Sequence, residues 1–244
     1  MATSTYDPCL LITNGGPEAF GIVGLQTDDT LAIGTPAFSS AEEAALQKAD
    51  FRAKPKDRLS EEMPLEFNGC TLTLRGDTIL LTQKGQGAKI EVIDLKAEDR
   101  AQKYMEQRAR GAYIASICQP EASFDLSAAA QIQQPADGDY VKLNRRLRWQ
   151  AENLERGLQY VPLDLATAKL IVFTDGSFAN NQDLSSQLGY LIVLANEDAH
   201  SRQDTHSYPG SYPDGTFNIR GNVVHWSSTK CKRVTRSVLA SETY

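Results

Sequence analysis

The chain has 244 residues, of which 41% are hydrophobic and 23% are charged, a composition typical of a globular protein. Its net charge of −6 argues against a general nucleic-acid-binding protein, which would usually be basic. The four cysteines form no CxxC pair, so neither a zinc site nor a disulfide framework is indicated. No apolar run approaches the roughly 20 residues that cross a bilayer, and no secretory signal is recognisable. We therefore expect an intracellular protein, in the cytoplasm or nucleus, with no membrane partner.

The first third of the chain alternates short apolar runs with turn residues. Residues 10–34 read as strands, and two of them flank the acids at the tip of a predicted hairpin, "FGIVGLQTDDTLAIG". Residues 39–54 predict a helix, because Ser39 can cap it, acids follow in the first turn and Pro55 comes after the end. Residues 65–83 give two alternating runs around Arg75-Gly76-Asp77, a hairpin signal.

Helical spacing dominates the middle of the chain and apolar strands follow it. We predict helices at residues 97–118, 124–134 and 140–156, then strands at residues 169–177, 187–196 and 221–228. Residues 197–220 are rich in turn formers and predict a long solvated loop. The last residues, "VTRSVLASETY", begin to look like a helix. The predicted fold class is α+β.

Adjacent carboxylates at a hairpin tip repel each other, so a bound cation would stabilise them. Asp28 and Asp29 are such a pair, and polymerases use tip carboxylates to hold two magnesium ions about 4 Å apart. Since Asp is also common in solvated turns, the dipeptide alone is better explained as an ordinary turn.

Two further acids lie near predicted element ends. Asp175 ends the run "LIVFTD" before Gly176, where a carboxylate could point into a cleft, although Asp-Gly is equally a common turn. Glu242 falls in "LASETY" at the start of the last predicted helix, where an exposed glutamate is the simpler explanation. Each signal is weak when taken singly.

The order of these motifs resembles the reverse transcriptase and ribonuclease H region of fungal copia-type LTR-retrotransposon polyproteins. "LQTDDTL" lies where that family has its Tyr-x-Asp-Asp palm hairpin, with Gln26 replacing the aromatic residue. "FNGCTLTL" with "ILLTQ" resembles the next hairpin, and "RARGAYIASICQPEASFDLSAAAQ" the connection segment. "KLIVFTDGSFANNQDLSSQLGYLIVL" and "VHWSSTKCKRVTRSVLASETY" resemble the opening of the ribonuclease H domain. The resemblance covers about residues 6–244.

The resemblance implies roles for particular residues. Asp28 and Asp29 would be palm metal ligands, and Asp175 and Glu242 would be the first two ribonuclease H acids, with Mg²⁺ as the cofactor. An RNA–DNA hybrid or a primer–template would be the nucleic-acid partner, and other retroelement polyprotein subunits are further candidates. The residues that would meet backbone phosphates are Lys230, Lys232, Arg233 and Arg236. Trp226 could stack on a sugar or base, but we interpret it as a core aromatic residue.

The same resemblance implies a division into three parts. Residues 1–62 would be the C-terminal half of a palm, residues 63–165 a thumb or connection region, and residues 166–244 a truncated ribonuclease H-like mixed sheet. Residues 198–220 would be an insertion, because family members usually connect these strands briefly.

Each metal site would be incomplete in this chain. The third palm aspartate has no counterpart upstream, where the chain offers only Asp7, and the third and fourth ribonuclease H carboxylates should follow Glu242. Two carboxylates do not preorganise a two-metal cluster, so we expect a fragment that is inactive alone. The alternatives are a non-catalytic module that binds nucleic acid or another retroelement subunit, and a product that does not fold stably.

Overall fold

The computed structural model describes residues 1–14, 16–51, 54–179, 181, 183–197, 219–232 and 237. Over these residues the chain is mixed α+β, with antiparallel sheets and α-helices, which confirms the predicted class at that level. It divides into two compact units, Met1–Gly69 and Cys70–Tyr244. The three-part division implied by the resemblance stays a prediction. Among the described residues, no helix is both long and apolar enough to cross a membrane.

The first unit is built on an antiparallel meander. Its strands lie in chain order, each paired with the next: β1 (Ala2–Thr3), β2 (Leu10–Ile12), β3 (Gly21–Gln26) and β4 (Asp29–Gly34). A 3-10 helix, Pro17–Ala19, lies between β2 and β3. Helix α1 (Pro36–Lys48) and strand β5 (Leu65–Phe67) follow. The strands predicted within residues 10–34 are therefore present.

Helix α1 begins three residues before the predicted start at residue 39. The Oγ1 atom of Thr35 accepts a hydrogen bond from the backbone N–H of Phe38, 3.3 Å away, and Pro36 occupies the first turn. Proline is favoured there because its missing N–H would have had no intrahelical partner. Thr35 and not Ser39 is therefore the cap, and α1 ends at Lys48, before the predicted end at Lys54.

Phe38 joins α1 to the meander. Gly21 and Gly34 are directly paired across β3 and β4, and a Cβ atom on either residue would lie 2.4 Å from the Phe38 ring. The ring therefore occupies space that exists because both strands carry glycine there. In the described part of this unit, the buried apolar side chains are Val23 and Phe38, a small core.

The second unit opens with the predicted hairpin. Strands β6 (Cys70–Arg75) and β7 (Thr78–Gln83) pair antiparallel from Cys70 opposite Gln83 to Arg75 opposite Thr78. Gly76 adopts a φ of 61° in the turn, a conformation that glycine enters without steric cost. Strand β8 (Leu158–Tyr160) returns after the helices and pairs antiparallel with β7.

Three helices form the main core of this unit, and each predicted helix is present. They are α2 (Arg100–Ile117), α3 (Ser123–Ala130) and α4 (Asp137–Glu152), with 3-10 helices at Gly87–Lys89 and Pro120–Ala122. The core cluster takes residues from all three α-helices, including Tyr104, Leu126 and Leu147. Tyr104 and Tyr140 meet edge to face with ring centroids 5.2 Å apart, a favoured aromatic geometry.

The third sheet is a three-stranded antiparallel meander. Its strands are β9 (Lys169–Ser177), β10 (Gln187–Glu197) and β11 (Ile219–Lys230), with β10 in the centre. All three predicted strands are present. The described strands are antiparallel, so the mixed sheet implied by the resemblance stays a prediction. Residues 198–218, most of the predicted loop and insertion, lie outside the described residues.

One face of this sheet packs against the helices. The Nε1–H of Trp226 donates to the backbone oxygen of Ala115 in α2, 3.1 Å away, and Trp226 packs beside the buried residues Ile114, Cys118 and Leu158. Trp226 is thus half-buried and packs against the core, close to its interpretation from the sequence as a core aromatic residue. Its indole N–H is satisfied by a carbonyl, as buried polar groups require.

Candidate functional site

Asp28 lies at the apex of a β-hairpin. Gln26 and Asp29 form the last pair of β3 and β4, which leaves Thr27 and Asp28 as a two-residue turn. Both aspartates are exposed. The predicted hairpin and the place of the two acids at its tip are therefore present.

The turn holds Thr27 in an unusual conformation. Its φ of 54° lies in the left-handed region, which β-branched residues rarely adopt. Two-residue hairpin turns need a positive φ at their first position because that matches the twist of the strands, and glycine or asparagine usually supplies it. The turn therefore holds a threonine in the left-handed region next to the exposed Asp28.

Asp175 lies on β9, directly opposite Gly189 of β10, and Gly189 is opposite Ser228 of β11. Directly paired residues share a face of a sheet, and glycine contributes no side chain to this row. The exposed Asp175 carboxylate therefore has open space between it and Ser228. It lies on the face that carries Trp226.

The described carboxylates do not assemble a magnesium centre by themselves. Within the described ranges, no group of three His, Cys, Asp or Glu side chains is arranged to hold a metal ion. Glu242, the predicted partner of Asp175, lies outside the described residues, so its role stays a prediction. A two-metal centre needs several carboxylates held in place.

Two of the four predicted phosphate-binding residues are described. Lys230 ends β11 and forms an ion pair with Asp183. This contact and the hydrogen bonds from Ser185 hold the pKa of Asp183 well below its usual range. Lys232 is exposed. Arg233 and Arg236 lie outside the described residues. Because the Lys230 ammonium is already paired with Asp183, a phosphate would compete with that carboxylate for it.

One groove was not predicted as a site. It has a volume of about 720 Å³ and is lined by residues of α3, the segment after α3, α4 and the end of β11, and its charged residues are mixed: Lys142, Arg145 and Lys230 with Asp125, Asp139 and Asp183. The basic run "KLNRRLRW" was the signal in the sequence, but its cations do not all face the groove. Arg146 binds Asp125 and lies 4.9 Å from the centre of the Trp149 ring, whereas Lys142 and Arg145 line the groove.

A buried glutamine holds one wall of the groove to the sheet. The Nε2 atom of Gln187 donates to Ser127 Oγ at 3.0 Å and to Ser228 Oγ at 2.9 Å, and its Oε1 accepts from Gln131 Nε2 at 3.0 Å. Gln187 is 4% exposed. These bonds join α3 to β10 and β11, so the position of the groove depends on contacts between residues 56 to 60 positions apart.

Comparisons with protein family models, with characterised proteins and with solved structures find no match to this chain.

Proposed function

We propose that the chain is a fragment of a copia-type retrotransposon reverse transcriptase and ribonuclease H, and that it is inactive alone. The observation that carries the proposal is the joint placement of the acids. Asp28 and Asp29 lie at an exposed hairpin tip, and Asp175 lies exposed on a strand of a three-stranded antiparallel meander. These are the positions that the sequence resemblance implies for the palm pair of aspartates and for the first ribonuclease H acid.

The absence of turnover follows from the number of ligands. Each acidic site in the described part of the chain has fewer than three candidate ligands. Catalysis by two metal ions depends on preorganised charge around both ions. We therefore expect no magnesium-dependent cleavage from the chain alone.

The exposed cations of α4 favour a second function, the non-catalytic binding of an RNA–DNA hybrid. Lys142, Arg145 and Arg148 recur at three-residue intervals on α4 and are exposed. None of the three forms an ion pair with another described residue. Such a stripe presents free cations to a phosphate backbone.

The experiment that tests both functions uses one labelled RNA–DNA hybrid and the purified chain. Fluorescence anisotropy at several salt concentrations measures binding, and a denaturing gel after incubation with Mg²⁺ measures cleavage. We expect affinity to fall steeply as salt rises, because bound cations displace counterions from the hybrid, and we expect no cleavage. Magnesium-dependent cleavage that Asp175→Asn abolishes would contradict the inactive fragment.

Substitutions on α4 test where the hybrid binds. Lys142→Ala with Arg145→Ala should weaken binding and reduce the slope of log affinity against log salt by about one for each lost contact. Arg75→Ala is the matched control, because Arg75 is exposed at the end of β6, away from the groove. Equal losses in both proteins would rule out the groove as the binding surface.

A further inference from the structure

The two edges of the β9–β10–β11 sheet differ in their protection. In β11, the register shifts between Ile192 and Val193 of β10, so that Val224 has no partner, and such a bulge blunts an edge. The side chain of Asn222 also binds the backbone N–H and C=O of Val161 beside β11, at 2.8 and 2.9 Å. The β11 edge is thus both bulged and covered.

The β9 edge has neither protection. Strand β9 is nine residues long and pairs with β10 alone among the described strands, without a bulge in that pairing. It contains no proline, and its residues between Lys169 and Asp175 are uncharged. Leu170 is 63% exposed, Val172 52% and Phe173 47%. A long regular strand with an apolar centre is a template for a further strand.

The side chains of β9 are complementary to those of a second β9 strand. Antiparallel pairing about a twofold axis at Val172 brings unlike residues into register, each pair twice: Lys169 with Asp175, Leu170 with Thr174, and Ile171 with Phe173. The two charged pairs lie at the ends of the joined segment, and an aliphatic–aromatic pair lies inside each of them. Opposite charges and aromatic–β-branched pairs are favourable across strands.

We propose that β9 is a homodimer interface, through which two copies of this chain join their meanders into one continuous six-stranded antiparallel sheet. The interface is isologous, since each Lys169 meets the Asp175 of the other copy. Lys169 already binds Glu197 at 2.7 Å, and its ammonium has three N–H donors, so it can serve both carboxylates. The inference concerns assembly and does not depend on the proposed function.

Charge reversal tests this register directly. Asp175→Lys places lysine opposite lysine in a homodimer, and Lys169→Asp places aspartate opposite aspartate, so each variant alone should dimerise at least about tenfold more weakly than the wild type. In an equimolar mixture, both charged pairs between the two variants are complementary. The mixture should therefore recover dimers, each with one copy of either variant.

Sedimentation velocity over a series of protein concentrations measures these masses, and a tag on one variant identifies the mixed dimer. A wild-type chain that stays monomeric at every concentration overturns the proposal. A single variant that dimerises as well as the wild type overturns it too, as does a mixture that does not recover dimers. Wild-type oligomers that neither variant changes would show that another surface associates.

A second pair of variants separates the edges without relying on the charges. Val172→Lys places two lysines together at the twofold axis and should abolish the dimer. Val224→Lys is the matched control, because Val224 is 47% exposed in the same sheet but lies at the bulge of the opposite edge. Circular dichroism confirms that both variants are folded. Dimer loss in both variants, or in neither, overturns the proposal.

Discussion

Asn144 is the residue whose side chain does most to fix the segment before α2. Its Oδ1 accepts from the backbone N–H of Ile93 and its Nδ2 donates to the C=O of the same residue, both at 2.8 Å. Asn144 is 4% exposed and Ile93 2%. The segment around Ile93 belongs to no strand, so no neighbouring strand pairs with its backbone. A buried side chain on α4 supplies the hydrogen-bond partners of both backbone groups instead.

Replacing Asn144 should therefore be costly. Asn144→Leu leaves a buried N–H and a buried C=O unpaired, and we expect the free energy of unfolding to fall by about 3 kcal/mol in urea titrations. Gln134→Leu is the control, since Gln134 is exposed and should change stability by less than about 0.5 kcal/mol. A loss below about 1 kcal/mol in Asn144→Leu would contradict this account of the segment.

The sequence identified some site residues and missed others for reasons visible at single positions. Asp28 and Asp29 could be assigned to a hairpin tip because the flanking apolar runs are local. Lys142 and Arg146 look alike in the sequence, yet one lines a groove and the other binds Asp125. That difference depends on which side of α4 packs against α3, which residue type alone does not reveal.

At the scale of elements, close approach between β7 and β8 explains Gly157. A Cβ atom on Gly157 would lie 2.2 Å from the backbone oxygen of Leu81, a distance that real Cβ atoms do not reach. Leu81 pairs with Leu158, the residue after Gly157. Strand β8 can therefore enter the sheet at this point only because the residue before it has no side chain.

Two glycine substitutions should consequently have opposite effects. Gly157→Ala pushes β8 away from β7, and we expect a loss of about 2 kcal/mol in the free energy of unfolding. Gly138→Ala is the matched change in α4, where nothing lies within 4 Å of the new Cβ; it should add about 0.5 to 1 kcal/mol because alanine is the better helix former. Thermal or urea unfolding measures both. Gly157→Ala with unchanged stability would contradict the contact.

Element type was predictable where the local pattern is strong, and element ends were less so. Strand β9 matches its predicted bounds at both ends, because an apolar run there lies between a lysine and the Asp-Gly-Ser sequence that ends the strand. Helix α1 does not match at either end, because Ser39 and Thr35 are both capable caps. The Pro36 that follows Thr35 and the contact of Phe38 with the meander favour the earlier start.

At the scale of the whole molecule, the second unit keeps weak acids buried in neutral form. Burial raises the pKa of the Cys118 thiol to about 12 from 9.0, and Cys118 is fully buried. Burial, with a contribution from the nearby Asp139 carboxylate, raises the pKa of Tyr104 to about 12 from 10.0. Both groups belong to the cores that hold the helices and the sheet together.

These shifts predict alkaline unfolding. Above pH 9 the unfolded chain loses the Cys118 proton while the folded chain keeps it, so stability falls as pH rises. The stabilisation is complete below the unfolded pKa values and is lost as pH approaches about 12. Urea midpoints measured at a series of pH values from about 8 to about 11 should fall progressively.

Cys118→Ser and Cys9→Ser test the origin of this dependence. Serine does not titrate in this range, so Cys118→Ser should be less stable at neutral pH but lose less stability on going to alkaline pH. Cys9 is exposed, and its replacement should leave the profile unchanged. A Cys118→Ser profile parallel to that of the wild type would show that the thiol does not contribute.

The sequence by itself determined the α+β class, the type of each main helix and strand, and the hairpin tip that carries Asp28 and Asp29, because these depend on periodicity and turn chemistry within a few neighbouring residues. Only the tertiary structure decided which cations form no ion pair with another described residue, which glycines allow a neighbouring segment to approach closely, and which sheet edge is left open among the described strands. Those features depend on residues such as Ser127 and Gln187, 60 positions apart, whose contact no local pattern encodes. Packing selects among the many pairings that the sequence allows.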